Sequence, residues 1–347
     1  MDGVETGPVQ PGGVLPTLRE VCVRRGLEAL DRRLGSLQAI AQQVDSVLAK
    51  LAVGETSAHQ SARHILRLPG KRLRPLCVVL GANVGAGVTG AVRDLCVAVE
   101  LVHNATLLHD DVVDLGELRR NAPTARAVYG NAASIFAGDW LLVEALRRVR
   151  ATGISGLLDR LLDVIEQMIV AESLQLDQRG SVVADRDLWL RIARGKTASL
   201  FEWALYAGGR AGGLGDNCCE ALAEYGQHVG IAFQAIDDVL DVQGGPTGKD
   251  VLCDLREGKM TLPWIFAVER ERTVATLLLE AVSDPGAMAH LMATTSEILQ
   301  RTEACASVLA FAADEGAAAI HCLRRLPRGA GVDALEAAAR ATLERSG

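Results

Sequence analysis

Aromatic residues make up only 3% of this 347-residue chain, against 49% hydrophobic residues overall, so Ala, Leu and Val must fill its core. That scarcity disfavours a β-sandwich, which leans on aromatic and β-branched pairs, and favours helices packed closely together. No basic block and no aromatic-studded basic stripe occurs, and 36 basic against 43 acidic residues leave a net charge of −7, so no nucleic-acid partner is expected. Eight cysteines are scattered without a C-x-x-C pair, which argues against a zinc site and for a reduced, cytoplasmic protein. No uncharged apolar run approaches the roughly 18 to 20 residues of a membrane span, so no transmembrane segment is expected. The start, MDGVETGPVQPGGVLPT, has acids and prolines where a signal peptide needs a basic end and an apolar core.

What is present reads as helix. Residues 1 to 16, rich in Gly and Pro with little to bury, are expected to form a mobile tail ahead of one all-α domain over residues 17 to 347. Thr17-x-x-Glu20 and Ser57-x-x-Gln60 have the form of capping boxes that open helices. Breaks fall at Pro69-Gly70, residues 81 to 90, Asn121-Ala122-Pro123, Gly180, residues 208 to 215, Gly244-Gly245-Pro246 and Pro285-Gly286. Between them apolar residues recur at helical spacing, as Leu95, Val99, Val102 and Thr106 do, and no run alternates like a strand.

Two copies of Asp-Asp-x-x-Asp, at residues 110 to 114 and 237 to 241, stand far apart in this helical background. Residues four apart share a helix face, so Asp110 stacks over Asp114 and Asp237 over Asp241, each pair forming a two-carboxylate claw. Such pairs repel on a bare helix, and the first also lies near a helix C-terminus, where the dipole disfavours negative charge. A sequence breaks these local rules where a cation is meant to arrive, and oxygen ligands of this kind suit Mg²⁺.

Magnesium held by carboxylates usually shares its shell with substrate phosphates. Cations that could hold phosphate follow: Lys71, Arg72 and Arg74, expected in one helical turn after Pro69-Gly70; Arg119-Arg120 after the first claw; and Lys196, beside Gly195 in mid-helix. Lys249 and Lys259 frame the loop after the second claw. Glycine inside a helix costs nearly 1 kcal/mol relative to alanine, so Gly195 marks a local bend. Two claws and several separate cations describe a site for two diphosphates.

The runs GKRLRP (70 to 75), ELVHNATLLHDDVVD (100 to 114), RRNAPT (119 to 124), AGDWLL (137 to 142), GKTASLF (195 to 201), GIAFQAIDDVLD (230 to 241) and GKDVLCDLREGKMTLP (248 to 263) carry a resemblance. Together they resemble the trans-isoprenyl diphosphate synthase (polyprenyl synthetase) family, closest to its geranylgeranyl and long-chain polyprenyl members. The resemblance implies a helical bundle round a deep central cavity, a homodimer, and Mg²⁺-dependent condensation of isopentenyl diphosphate with an allylic prenyl diphosphate. It implies that Asp110, Asp114, Asp237 and Asp241 hold metal, with Asp111 and Asp238 in support. Lys71, Arg74, His103 and Arg120 would take isopentenyl diphosphate; Arg119, Lys196, Lys249 and Lys259 would contact the allylic diphosphate; Thr197 and Gln234 would border the developing carbocation. One departure is Asn121 where the family usually has Gly; Asn tolerates left-handed backbone, so the turn is expected to survive.

The helix positions one to three turns before Asp110 are Thr106, Ala105, Val102, Leu101, Val99 and Ala98, with no aromatic plug. A prenyl product longer than fifteen carbons, twenty or more, is therefore expected, with Phe136, Trp140 or Met168 closing the floor. Two alternatives remain. A class I terpene cyclase shares the first claw but lines its cavity with rings and lacks a second Asp-Asp-x-x-Asp; a non-catalytic prenyltransferase subunit would be free to lose the claws.

Overall fold

In the computed structural model, which describes residues 28–243 and 251–344, the chain is a helical bundle. The expected tail, the Thr17-x-x-Glu20 box and Lys249 lie outside the described residues. Helices α1 (Glu28–Lys50), α2 (Ser57–Arg67), α3 (Leu73–Val84) and α4 (Gly90–Val113) lead to a small hairpin of β1 (Leu118–Arg119) and β2 (Ala122–Pro123). Then come α5 (Ala125–Tyr129), α6 (Asn131–Ala151), α7 (Leu157–Asp177) and α8 (Arg186–Ala193), which passes through a π-helical segment, Arg194–Ala198, into α9 (Ser199–Ala211). The remainder is α10 (Asp216–Gln243), α11 (Cys253–Arg256), α12 (Leu262–Arg270), α13 (Thr273–Ser283), α14 (Pro285–Arg301), α15 (Ala304–Cys322) and α16 (Ala330–Leu343).

Local sequence sets several starts. Thr56, Thr89, Thr124, Asp185 and Asp284 each accept a hydrogen bond from a backbone N–H three residues on, a cap of about 1 kcal/mol apiece. The box expected at Ser57 is shifted by one residue: Thr56 is the cap, because its hydroxyl also meets the His59 ring at 2.6 Å.

Helix α4 is buried on nearly every side, with Leu95, Cys96, Ala98, Val99, Leu101, Val102, Ala105 and Leu108 all without exposure, so it runs through the interior. It packs mainly on α6, while α10 packs on α9 and α15, and α9 on α3. Helices α3 and α9 meet backbone to backbone: a Cβ on Gly208 would stand 2.1 Å from the Val78 carbonyl oxygen, so only glycine permits the crossing. The few rings serve as pins: Trp203 Nε1 donates to the Leu157 carbonyl at 3.1 Å and the Tyr225 hydroxyl to that of Leu335 at 2.6 Å. Among the described residues the segment Ala304–Arg325 is long and apolar enough to cross a membrane. Yet Asp314 and Glu315 sit at its middle, Glu315 pairs with His228 at 2.6 Å, and the helix lies along α10 as part of the bundle.

Helices α6 and α7 leave apolar side chains in solvent, among them Val143, Leu162, Ile169 and Val170. Leu162, Ile169 and Leu176 follow one another at seven-residue spacing, which makes a single stripe. Phe136 corrects an expectation: at 62% exposure it closes no floor, because α6 turns Ala133, Ser134 and Ala137 to the bundle and leaves the Phe136 side in solvent. Trp140 packs on the His59 ring, with centroids 5.3 Å apart, and Met168 is buried.

Candidate active site

The first claw occupies the last turn of α4, with Asp114 as its C-cap at φ −88°, ψ 0°. Burial pushes the Asp110 carboxyl up to about 6, and Glu172 and Asp114 add to the rise against the pull of Lys196 and Arg119. Asp111 turns inward and accepts from Arg119, at 2.9 Å from Nε and 2.8 Å from Nη2. Asp114 accepts from Lys259 Nζ at 2.7 Å and from Arg179. Burial alone would raise Asp114, but Lys259, aided by Lys196 and Arg179, holds it below the usual carboxylate range. His109, next to Asp110, is structural: its ring meets the Ile135 carbonyl at 3.2 Å.

The second claw lies near the end of α10, with Asp237 and Asp241 partly buried. Asp238 faces inward and accepts from Trp189 Nε1 at 2.8 Å, Leu262 N at 2.9 Å and Gln234 Nε2 at 2.9 Å. Even so, burial first and Asp254 second push it up to about 7. Asp241 also rises to about 7, by burial and then by Asp254; its Oδ1 accepts from Cys253 N at 3.0 Å, while its buried Oδ2 has no partner.

Between the claws stand two lysines. The bend foreseen at Gly195 is the π-helical segment, and a Cβ there would meet the Ala171 Cβ at 2.6 Å and the Gln167 carbonyl oxygen at 2.8 Å. The extra backbone residue aims Lys196 at Glu172 Oε2 (2.5 Å) and Gln175 Oε1 (2.7 Å), and the Thr197 hydroxyl at Gln234 Oε1 (2.7 Å). Lys196 acts electrostatically on Asp110, on Asp114 and on Asp254 beside the second claw. Lys259 bonds Asp114 with its side chain while its backbone N–H donates to the Asp254 carbonyl at 2.8 Å. The two lysines therefore link the first acidic pair to Asp254, beside the second.

The basic side needs one correction. Lys71, Arg72 and Arg74 do not share a helical turn, because α3 begins at Leu73 and Arg72 is left-handed at φ 50°. The cause is a buried ion pair: Arg72 reaches Asp45 and Glu100, each at 2.6 Å, and that pairing overrides local helix preference. Lys71 is exposed, whereas Arg74 leans over the Phe201 ring, 5.2 Å from its centroid, with a buried Nε that has no partner. Asp237 and Glu100 both act on Arg74, which joins the basic side to the second claw. Burial, followed by Arg74, Arg120, Arg119 and Arg72, pushes His103 well below the usual imidazole range, so it is neutral at pH 7. Arg120 and Asn121 form the hairpin turn, both left-handed at φ 53° and 62°, so Asn121 fills the place of the usual glycine, as expected.

Sequence reasoning missed Arg179, Glu172 and Asp254. Arg179 precedes Gly180, whose N–H donates to the Gly258 carbonyl at 2.8 Å and so brings the two loops together, a contact with no local sequence signal.

Among the described residues no group of three His, Cys, Asp or Glu side chains already forms an ion site. The donor set nevertheless fits a hard divalent cation whose shell is completed by phosphate and water: all ligands are carboxylates, Asp241 has a buried oxygen to spare, and Asp110 is crowded by like charge.

The chain is similar to known proteins along most of its length. The family profile described as Polyprenyl synthetase matches residues 55–298. The chain is 33% identical over 274 residues to the octaprenyl diphosphate synthase of Escherichia coli (strain K12), covering 78% of this chain and 84% of that one. It is 33% identical over 291 residues to the nonaprenyl diphosphate synthase of Mycobacterium tuberculosis (strain H37Rv), covering 83% and 86%. A crystal structure of a polyprenyl synthase from Caulobacter crescentus CB15, complexed with calcium and isoprenyl diphosphate, superposes with a TM-score of 0.83 at 30% identity, covering 98% of this chain and 100% of that one.

Proposed function

Because the chain belongs to the polyprenyl synthetase family, we propose that it is a Mg²⁺-dependent trans-prenyltransferase. It condenses isopentenyl diphosphate with an allylic prenyl diphosphate into an all-trans polyprenyl diphosphate of twenty or more carbons. The observation that carries this reading is Lys259, which bonds Asp114 of the first claw while its backbone is tied to Asp254 beside the second.

Asp110, Asp114, Asp237 and Asp241 would hold magnesium, which supplies Lewis-acid stabilisation to a leaving diphosphate. Lys196, Lys259 and Arg119 are placed to share that anionic charge as the allylic C–O bond breaks. Gln234 Oε1, oriented by the Thr197 hydroxyl, presents a fixed dipole to the carbocation left behind. Lys71, Arg74, His103 and Arg120 hold isopentenyl diphosphate so that its double bond attacks the cation and forms the new C–C bond. The proton then lost passes to the released diphosphate, and no side chain is assigned as base. Positioning of this sort contributes several kcal/mol in general.

The length of the product is argued from α4, which carries Ala98, Val99, Leu101, Val102, Ala105 and Thr106, and no Phe, Tyr or Trp, in the three turns before Asp110. Incubation with isopentenyl and farnesyl diphosphates should give products of twenty carbons or more by mass spectrometry. Products ending at fifteen carbons from shorter primers would refute it. A requirement for isopentenyl diphosphate separates the enzyme from a cyclase, and activity of the purified chain alone separates it from a non-catalytic subunit.

The exposed stripe of α6 and α7 fits a second copy of this chain, since burying each such side chain gains about 1.5–3 kcal/mol. We expect Ile169→Asp to convert a dimer to monomer in analytical ultracentrifugation; an unchanged sedimentation coefficient would remove this face as the interface.

A further inference from the structure

Arg179 belongs to none of the runs that carry the family resemblance, yet it lies against the first claw. Its Nη2 meets Asp114 Oδ1, its Nη1 donates to the Val113 carbonyl at 3.1 Å, and its Nε is buried without a partner. Lys259, the other cation on Asp114, also bonds Glu257 at 2.7 Å, whereas Asp114 is the only carboxylate that Arg179 is seen to meet among the described residues. We propose that Arg179 is a substrate-exchanged counter-ion: it occupies Asp114 until a diphosphate arrives, then turns to that diphosphate and releases the carboxylate.

The inference rests on the reading of the claws as a metal–diphosphate site. A divalent ion entering alone must displace Arg179 from Asp114 and strand a half-buried guanidinium, which has a cost. A diphosphate entering with the ion removes that cost, because its oxygens satisfy Arg179, including the Nε that now lacks a partner. Metal and diphosphate are thereby coupled, each improving the other's affinity by one factor. Were Arg179 only a cap on the end of α4, its loss would weaken the fold and both binding events together.

The test uses the full-length chain and two probes: Mn²⁺ alone, followed by electron paramagnetic resonance, and inorganic pyrophosphate with saturating Mg²⁺, followed by calorimetry. Arg179→Gln should bind Mn²⁺ alone about fivefold more tightly and pyrophosphate about tenfold more weakly, the opposed signs being the signature. Arg179→Lys, which keeps the charge but loses the planar fork, should show the same two changes at reduced size and serves if the glutamine variant does not fold. Mn²⁺ binding that is unchanged or weaker in both variants overturns the proposal, as does undiminished pyrophosphate binding. Wild-type protein that binds neither probe overturns the reading of the site itself, and this inference with it.

Discussion

Asp110→Asn should abolish turnover and stabilise the metal-free protein. The carboxyl of Asp110 is pushed from its ordinary value of 3.8 to about 6, chiefly by burial. A raised carboxyl is one whose ionisation the folded state resists: the contribution is most favourable below pH 4 and is lost as pH rises through 6. Above that pH the charged group costs about 2 kcal/mol of stability, given roughly 1.4 kcal/mol per unit and some solvent relaxation. Asparagine is nearly isosteric and uncharged, so in chelator the variant should melt about 4 °C higher at pH 7.5 and no higher at pH 4. With one carboxylate of the claw gone, kcat should fall by about 10³-fold or more, the scale of losing charge stabilisation at a leaving group. Stability bought at the expense of function is the mark of a site built to receive a cation. A variant that melts lower at pH 7.5 would overturn the burial argument, and one that keeps a tenth of wild-type activity would remove Asp110 from the metal-holding set.

What could be read in advance was what lies within a few residues along the chain. The claws follow from four-residue spacing, the bend at Lys196 from one costly glycine, and the tolerance of Asn121 from its freedom to turn left-handed, now seen at φ 62°. What could not be read depends on distant partners. Arg72 leaves the helix because of Asp45 and Glu100, 27 and 28 residues away. Arg179 meets Asp114 across 65 residues and Lys259 meets it across 145. Phe136 and Trp140 share a stripe four residues apart, but only Trp140 finds a neighbour to cover it, and periodicity alone does not say which.

Gly195→Ala sets two physical terms against each other, and the outcome decides what the π-helical segment is for. By helix propensity alone the change should stabilise by nearly 1 kcal/mol. The new methyl, however, would stand 2.6 Å from the Ala171 Cβ and 2.8 Å from the Gln167 carbonyl oxygen, and the second is backbone of α7 that no rotamer change can move. Overpacking of this kind costs about 1–3 kcal/mol, so the expected net effect is a loss of about 1–2 kcal/mol, with a fall of a few degrees in melting temperature. The larger effect is on catalysis. Pushing the segment away from α7 draws Lys196 from Glu172 and Gln175 and breaks the Thr197–Gln234 contact, so a cation and a dipole both leave their places. A displacement of about 1 Å can cost 10²-fold in rate, and kcat should fall by about that factor while the KM for isopentenyl diphosphate, proposed to bind at Lys71, Arg74, His103 and Arg120, changes little. Ala171→Gly in the same chain removes the first clash and leaves the second, so it should recover part of the melting temperature and part of kcat. An alanine variant more stable than wild type and fully active would mean that the helix can close its bulge without moving Lys196, and the role given to that lysine would then be untenable.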